Sequence, residues 1–330
     1  MSIMKSILFI NLNKKIGDAV VSTFIFREIK KHFPDTKITV LISNATKQIY
    51  EQNEYIDKIV SLTDSKKFRR LQLFLYFPYL YLQHFDLAVN IELSIKKYIV
   101  YFIKFLKIKE VILSDKRRFD LIKCTPLIWD YNDTLGHITN IYIKLLNILG
   151  IKDISTKYDV TVSQHYLNKC KDFINKNKLN SKKILLINPE GAHKERQLSN
   201  EYIEQLVNEV KNKFDYNIVL LCYKRKYPSN FNNKVFILNT KNIMESVAVV
   251  YLSDLIITVD TSIVHIADCY NKDMITLYPN TEKEENLFLK YGFISWCSTQ
   301  NKTIKIQTDT DKDINDIPVE SIITNLNKFN

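Results

Sequence analysis

The segment "LIITVDTSIVHIADCY" (255–270) places polar residues that could do chemistry between an apolar run and a helical pattern. Backbone N–H groups are unpaired at the start of a helix and attract anions, so Thr261 and Ser262 there either bind a phosphate or cap the helix. His265 either reaches the same anion or is a core histidine. Because Asp260 would repel a phosphate, its carboxylate is expected to meet a hydroxyl, a lysine or a backbone amide.

Two cations, Lys194 and Arg196, follow another apolar run in "INPEGAHKERQLSNEY" (187–202). Cations between the end of a strand and the start of a helix suit a phosphate, and Gly191 gives the loop conformational freedom. The alternative is a solvated basic loop.

A carboxylate, Asp18, lies in "NLNKKIGDAVV" (11–21), where the first helix is expected to begin. Gly17 can adopt backbone angles that other residues avoid. Asp18 is therefore either the N-cap of this helix, which contributes roughly 1 kcal/mol, or a carboxylate that takes a proton from a hydroxyl nucleophile.

Short apolar runs alternate with helical patterns in both halves of the chain, which predicts doubly wound α/β sheets. The polar, lysine-rich region 152–181 marks the junction, and we place the domains at 1–165 and 166–330. Ligands of open α/β sheets bind outside the carboxyl ends of the strands, where the three polar groups are expected. The strands are expected at 6–11, 37–43, 57–62, 85–92, 109–114, 182–190, 216–223, 254–260 and 273–279.

The composition is that of a globular protein, and the 330 residues carry a formal net charge of +11. A basic excess favours an acidic partner, although a general lysine habit of the chain is the alternative. Nucleic acid is not expected, because no nucleic-acid-binding motif is present. The five cysteines are far apart, which argues against a zinc ribbon and suits a reducing cytoplasm. Asp260 and His265 would supply two metal ligands without an obvious third, so no metal is expected.

Two stretches mix basic and aromatic residues, "FRRLQLFLYFPYLYLQ" (68–83) and "KKYIVYFIKFLKIKE" (96–110). Such stretches can lie at a membrane interface. The favoured interpretation is that they form two core-facing helices with basic outer faces.

Three blocks resemble the family 9 glycosyltransferases, the bacterial ADP-heptose:lipopolysaccharide heptosyltransferases: "INLNKKIGDAVVSTFIFREIKKHFPDTKITVLI", "INPEGAHKERQLSNEYIEQL" and "SDLIITVDTSIVHIADCYNKDMITLYPNTE". Their order and spacing match that family. The resemblance implies a GT-B fold, in which two Rossmann-like domains face a central cleft. It assigns the acceptor to the N-terminal domain and the nucleotide-sugar donor to the C-terminal domain, and it allows the last helix to pack back on the N-terminal domain.

The resemblance also implies a role for each candidate residue. Asp18 occupies the position of the catalytic base, and Lys14 and Lys15 are additional candidates for the acceptor site. The residues that match the donor-binding positions are Lys194, Arg196, Asp260, Thr261, Ser262, Ile263 and His265. Arg196 stands where the family usually has lysine, and glycine is common in the family at the positions of Ser262, Asn271 and Asn280.

The activity implied is an inverting, metal-independent transfer of heptose from ADP-heptose, with no cofactor. The acceptor would be an acidic glycolipid, the inner core of lipopolysaccharide or lipooligosaccharide, and the enzyme would act in the cytoplasm, in peripheral contact with the cytoplasmic face of the inner membrane. Another nucleotide-sugar, a protein acceptor, or a non-catalytic nucleotide-sugar-binding paralogue are the alternatives.

Overall fold

The computed structural model divides into two compact units, Met1–Thr161 and Val162–Asn330. The residues that it describes are 4–92, 94–127, 136–223, 225–228, 231, 234–280, 292–299 and 302–329. Each unit contains a six-stranded sheet, and every pairing between neighbouring strands is parallel. The expected doubly wound α/β architecture is confirmed.

The first unit has the strand order β3-β2-β1-β4-β5-β6. Its central strand β1 pairs Ile7 with Ile38 of β2 on one side and with Leu87 of β4 on the other. The strands are β1 Ser6–Asn11, β2 Lys37–Ser43, β3 Lys58–Leu62, β4 Leu87–Asn90, β5 Glu110–Leu113 and β6 Thr125–Pro126. The helices are α1 Ile16–Ser22, α2 Phe24–His32, α3 Lys47–Tyr50, α4 Lys66–Tyr81, α5 Lys97–Phe105 and α6 Thr139–Ile148.

The second unit has the strand order β12-β11-β10-β7-β8-β9, which is the same topology as the first when each unit is numbered from its own first strand. Its strands are β7 Ile184–Asn188, β8 Asn217–Cys222, β9 Phe236–Asn239, β10 Leu255–Val259, β11 Asp273–Tyr278 and β12 Thr303–Gln307. Its helices are α7 Gln164–Lys176, α8 Asn200–Lys213, α9 Ile243–Leu252, α10 Ser262–Cys269, α11 Gly292–Ser295 and α12 Val319–Leu326.

The inner strands form because their sequences are nearly continuous runs of Ile, Leu and Val, as expected for strands covered on both faces by helices. In β7 and β10 every residue is buried. Three strands at sheet edges, β6, β9 and β12, were not expected from the sequence. Their residues are partly or fully exposed. No continuous apolar run marks β6 and β12, and β9 lies in a short apolar run, "VFIL" (235–238).

The segment that follows α6 is held on the first unit by polar contacts with α2. Arg27 donates hydrogen bonds to the carbonyl oxygens of Lys157 and Ser155 and pairs with the carboxylate of Asp159. The amide of Asp159 donates to the hydroxyl of Thr23 at 2.8 Å. The first part of the expected junction, 152–161, therefore belongs structurally to the first unit.

The closing helix α12 packs against α8 within the second unit. Ile322, Ile323 and Leu326 are buried in the same apolar cluster as Leu206 and Val210. The contacts of α12 thus complete the core of the second sheet.

Helices α4 and α5 both face the core of the first unit, as favoured from the sequence. Leu73 and Leu80 of α4 and Ile99 and Ile103 of α5 are buried together. Their outer faces are not simply basic, because they also expose large apolar side chains such as Phe74. No helix in the described parts of the chain has both the length and the apolar character needed to cross a membrane.

Asn271 ends α10 in a left-handed conformation, with φ of 51°. Its amide donates to the carbonyl of Asp268, and the next amide, of Lys272, donates to that of Ala267, so two terminal helix carbonyls are satisfied. Asparagine tolerates this conformation better than most residues other than glycine. The structure therefore explains how asparagine replaces the glycine common in the resembling family.

We expect Asn271→Gly to raise the stability of the second unit, and Asn271→Ala to lower it, each by about 1 kcal/mol. Glycine adopts a positive φ without steric cost, whereas the Cβ of alanine opposes it. Urea unfolding of the purified variants measures both changes. If alanine and glycine were equally tolerated, the left-handed helix end would not constrain this position.

Candidate functional site

In the second unit, the candidate site is built on an ion pair between Arg196 and Asp260. Nη1 of Arg196 lies 2.9 Å from Oδ2 of Asp260, and both side chains are largely buried. Asp260 directly follows β10, and Arg196 lies in the loop after β7, the neighbouring strand. The carboxylate expected to meet a hydroxyl, a lysine or an amide therefore meets this arginine. Burial raises the pKa of Asp260, against the opposing positive charges of Arg196 and His193.

Gly191 allows the loop to fold back onto Arg196. A Cβ built at Gly191 would lie 2.4 Å from the carbonyl oxygen and 2.5 Å from the Cβ of Arg196, which is too close for any other residue. The fold of this loop is closed by the amide of Leu198, which donates to the carbonyl of Pro189, and by the Gln197 side chain, which donates to Gly191. Gly191 is thus required for close backbone approach.

Thr261 caps the N-terminus of α10. Its hydroxyl accepts a hydrogen bond from the amide of Ile263 at 3.2 Å and another from the Asn188 side chain at 3.1 Å. Ser262 is the first residue of the helix and is partly buried, while Ile263 is buried. The capping role that the sequence left open for Thr261 is therefore present, and the other amides of the first turn lie at the same end of the sheet.

His265 is buried one turn into α10, where its ring contacts Trp296 edge-on with ring centroids 6.2 Å apart. Asp268, three residues after His265, accepts hydrogen bonds from the hydroxyl of Ser298 and the amide of Thr299. Burial raises the pKa of Asp268 to about 7. These contacts anchor α10 to the segment before β12. Lys194, in contrast, is exposed in a short 3-10 turn that ends at Arg196.

In the first unit, Asp18 lies in the first turn of α1, at the carboxyl end of β1. The N-cap position is Lys15, so the N-cap alternative for Asp18 is wrong. Gly17 is an ordinary helical residue with negative φ, so it does not provide the unusual turn expected of it. The side-chain amide of Asn13 donates to Oδ2 of Asp18 at 3.0 Å. Burial raises the pKa of Asp18 to about 6, against the opposing effects of the Lys15 charge and the Asn13 hydrogen bond.

A second carboxylate near Asp18, that of Glu92, was missed in the sequence. It follows β4 and accepts a hydrogen bond from the amide of Leu12, so it joins the loops after β1 and β4. Burial raises the pKa of Glu92 to about 7, and the negative charge of Asp18 acts in the same direction. Arg69 of α4 reaches the same place, donating to the carbonyl of Leu12 at 3.2 Å. No local pattern in "NIELS" reveals this role, because it depends on the adjacency of β1 and β4.

The two lysines considered for acceptor binding, Lys14 and Lys15, are exposed beside this carboxylate pair. Lys15 lies close enough for its charge to lower the pKa of Asp18. Within the described residues, no group of three His, Cys, Asp or Glu side chains is arranged to hold a metal ion. The independence from metals stays a prediction.

Each unit therefore offers distinct chemistry at the carboxyl end of its sheet. The first presents two partly buried carboxyls with pKa values near neutrality, which suits proton transfer. The second presents an oriented guanidinium beside a helix N-terminus, which suits an anion. A guanidinium has five N–H donors, so contact with Asp260 is compatible with contact with a phosphate.

Comparison with known proteins shows the family and the fold of the chain. Residues 107–311, more than half of the chain, match the sequence model of glycosyltransferase family 9 (heptosyltransferase). A protein of Escherichia coli (strain K12), provisionally named lipopolysaccharide heptosyltransferase 4, is 26% identical over 339 residues, which cover 99% of this chain and 87% of that protein.

Two solved structures share the fold over almost the whole chain. The family 9 glycosyltransferase from Veillonella parvula DSM 2008 has a TM-score of 0.82 at 16% identity. The match covers 100% of this chain and 98% of the Veillonella protein. ADP-heptose lipopolysaccharide heptosyltransferase II of E. coli has a TM-score of 0.76 at 13% identity. The match covers 99% of this chain and 98% of the E. coli protein. The expected GT-B type of fold is thereby confirmed.

We expect Asp18→Asn to stabilise the protein at neutral and alkaline pH, by on the order of 1–3 kcal/mol. The folded-state pKa of about 6 lies above the usual 3.8, so the folded protein favours the protonated acid. This contribution to stability is complete below the unfolded-state pKa and is lost as the pH rises through about 6. Above that pH, the folded wild-type protein is destabilised by the ionised carboxylate of Asp18. The asparagine variant has no charge at this position and is not destabilised in this way.

Urea unfolding from about pH 4 to about pH 8 measures this difference. The advantage of the asparagine variant should grow with pH, while the control Asp35→Asn, at an exposed position, should show no such trend. An advantage that is independent of pH would mean that the Asp18 carboxyl titrates normally.

Proposed function

Because the chain belongs to glycosyltransferase family 9, we propose that it is an inverting, metal-independent heptosyltransferase. It would move heptose from ADP-heptose to the inner core of lipopolysaccharide or lipooligosaccharide. The donor is inferred from the name of the E. coli structural relative, and the acceptor from the names of both E. coli relatives. The observation that carries the proposal is the Asp18 carboxyl at the end of β1, whose pKa is raised to about 6.

Asp18 serves in this proposal as the general base. A carboxyl with a pKa of about 6 is ionised at neutral pH and is a stronger base than an ordinary aspartate. It takes the proton from an acceptor hydroxyl as that oxygen attacks the anomeric carbon of the donor sugar. The bond from this carbon to the phosphate oxygen breaks, and ADP leaves with the bonding electrons. A single displacement inverts the anomeric configuration.

Asn13, Lys15 and Glu92 adjust this base. The Asn13 hydrogen bond fixes one carboxylate oxygen of Asp18, and the Lys15 charge favours its ionised form. Glu92 places a second acid next to it. We propose that Lys14 and Lys15 also attract the phosphorylated acceptor, as their exposed charges suit an acidic glycolipid.

The leaving diphosphate is assigned to the second unit. Arg196, oriented by Asp260, supplies positive charge and paired N–H donors, and the start of α10, with Thr261, Ser262 and Ile263, supplies backbone amides. His265 and the exposed Lys194 are included in the donor site through the family pattern. Charge on the departing phosphates can be stabilised by these groups without a metal or another cofactor. The acceptor is a membrane glycolipid, so the enzyme would work at the cytoplasmic face of the inner membrane.

Mass spectrometry of deacylated lipopolysaccharide core incubated with different donors tests the proposal. We expect the wild-type protein to add a heptose from ADP-heptose and not to transfer from UDP- or GDP-sugars. Asp18→Asn should bind ADP-heptose normally and lose roughly 10²–10⁴-fold in transfer rate, because asparagine cannot accept the proton. Asp35→Asn, an exposed acid in the same unit, serves as the matched control.

Transfer from a different donor class would overturn the donor assignment while leaving the mechanism intact. Near-normal transfer by Asp18→Asn, with normal donor binding, would remove Asp18 as the base. Donor binding without transfer to any acceptor would favour the non-catalytic paralogue.

We expect ADP affinity, measured by titration calorimetry, to fall in the order wild type, Arg196→Lys, Arg196→Ala. Lysine retains a charge but not the planar donor pair that faces a phosphate, and alanine loses both. Gly191→Ala should resemble Arg196→Ala, because its Cβ would collide with the Arg196 backbone. A larger loss in Lys194→Ala than in Arg196→Ala would instead assign the diphosphate to Lys194.

A further inference from the structure

An apolar surface on the first unit lies outside both parts of the candidate site. Of the eleven exposed large apolar side chains in the described residues, eight lie on α4 and α5 or at the C-cap of α4. We call this surface the α4–α5 face; it consists of Phe68, Leu71, Phe74, Leu75, Tyr76, Leu82, Tyr101 and Phe105.

Most of the exposed apolar residues of α4 point away from the core. At roughly 100° per residue, Phe68, Leu71, Leu75 and Leu82 lie within about 40° of the direction opposite the buried residue Leu73. Phe74 lies at the edge of this stripe, and Tyr76 lies outside it. Leu75 is 65% exposed and Leu82 is 68% exposed. The sequence thus covers one side of α4 with apolar residues that pack on the sheet and the other side with apolar residues that face outward. Packing in the core of the first unit accounts for the apolar residues on the inner side of α4 but not for those on its outer side.

The two helices are neighbours, so their outer residues form one surface. Phe77 of α4 packs edge-on against Phe102 of α5, with ring centroids 6.0 Å apart. The guanidinium of Arg70 lies over the ring of Tyr98, 5.0 Å from its centroid. These contacts fix α4 and α5 side by side, which places Phe74, Tyr101 and the residues around them on a common outer layer.

Positive charge accompanies this apolar surface. Lys67 and Arg70 of α4 and Lys97 and Lys104 of α5 are exposed, and neither helix contains an acidic residue. A groove of about 460 Å³ is lined by Lys104 of α5 and, outside the helix, by the exposed residues Lys123 and Asp120. Two copies of the α4–α5 face would repel each other, since the charged residues of both helices are all basic.

We propose that the α4–α5 face docks on a phospholipid bilayer that carries anionic headgroups. Leucine and aromatic side chains enter the boundary between headgroups and acyl chains, while the lysines and Arg70 remain at the headgroups. Attraction between the basic side chains and anionic lipids adds to the free energy that is gained when the apolar side chains enter the bilayer. This attraction is screened by salt. Docking on a membrane rests on the proposed function in one respect, because a glycolipid acceptor lies in a membrane. The apolar and electrostatic forces that hold the α4–α5 face there do not depend on the transfer reaction.

Co-sedimentation of the full chain with vesicles tests the inference. We expect binding to phosphatidylethanolamine vesicles that contain phosphatidylglycerol, and much weaker binding to phosphatidylcholine vesicles. Phe74→Ser/Leu75→Ser should weaken the partition coefficient by about tenfold or more, because two outward apolar side chains are lost. Lys67→Gln/Lys97→Gln should also weaken it and reduce its dependence on salt.

The controls carry the same changes away from this face. Ile148→Ser removes an exposed apolar side chain of α6, and Lys171→Gln/Lys176→Gln removes two exposed lysines of α7. Both should bind vesicles like wild type. Absence of wild-type binding to the anionic vesicles, or equal losses in the face variants and the controls, would overturn the inference. A dimer in light scattering that Phe74→Ser/Leu75→Ser dissociates would assign the face to a second copy instead.

Transfer to a deacylated, water-soluble acceptor separates this inference from the proposed function. The face variants should retain that transfer while losing vesicle binding. Vesicle binding without any heptose transfer by wild type would reject the proposed function and leave the docking surface standing. Heptose transfer without vesicle binding would reject the docking surface and leave the proposed function standing.

Discussion

The structure depends on one topological constraint that occurs once in each unit, the reversal of strand order next to the first strand. At that point the chain leaves two adjacent strands in opposite directions, so the loops after them separate and open a crevice at the carboxyl edge. In both units a buried asparagine ties the diverging strands together: Asn90 of β4 donates to the carbonyl of Ile10 in β1, and Asn188 of β7 donates to the hydroxyl of Thr258 in β10. The loops themselves are then joined by a contact that involves a carboxylate, Leu12 with Glu92 in the first unit and Arg196 with Asp260 in the second. Within each unit, the candidate residues lie close together because of this reversal.

Sequence reasoning succeeds where a local physical rule applies. Inner strands such as β7 and β10 are recognised because burial on both faces requires continuous apolar residues. The edge strand β12 was not predicted because its half-exposed positions tolerate polar residues. The apolar part of β9 is only a few residues long and is not fully buried, so it gives a weaker signal than an inner strand. Asp18 and Arg196 were proposed from the sequence because each stands at a strand-to-helix corner. Glu92 was overlooked because its contact is with the Leu12 amide, some eighty positions earlier in the chain. Gly17 and Gly191 show the same limit: only the folded loop reveals that the first is an ordinary helical residue and the second is sterically required.

Three carboxyls in the candidate site, those of Asp18, Glu92 and Asp260, have pKa values raised by burial. A fold selected for stability alone would expose such groups or replace them with neutral side chains. Asp18 and Glu92, whose pKa values are raised to about 6 and about 7, occur together in the first unit, where a proton must be removed in the proposed reaction. Asp268 of the second unit also has a pKa raised to about 7, but its carboxylate accepts hydrogen bonds from Ser298 and Thr299. The buried carboxyl of Asp260 instead faces a guanidinium, so it orients a cation and does not compete for a proton.

Arg196 stands where the resembling family usually has lysine, and the residues around it suit an arginine. An ammonium acts as a point charge and would need no particular orientation, whereas a guanidinium is planar and binds according to the direction of its donors. Two features supply that direction: the Asp260 carboxylate holds one nitrogen of Arg196, and the absence of a side chain at Gly191 lets the loop bring the Arg196 backbone close. Since burial raises the pKa of Asp260 and the positive charge of Arg196 opposes this, loss of the arginine would favour protonation of the acid and so weaken the orientation of the whole loop. The arginine, the glycine and the aspartate therefore act as one unit, and a change to one of them alters the environment that the other two present to an anion.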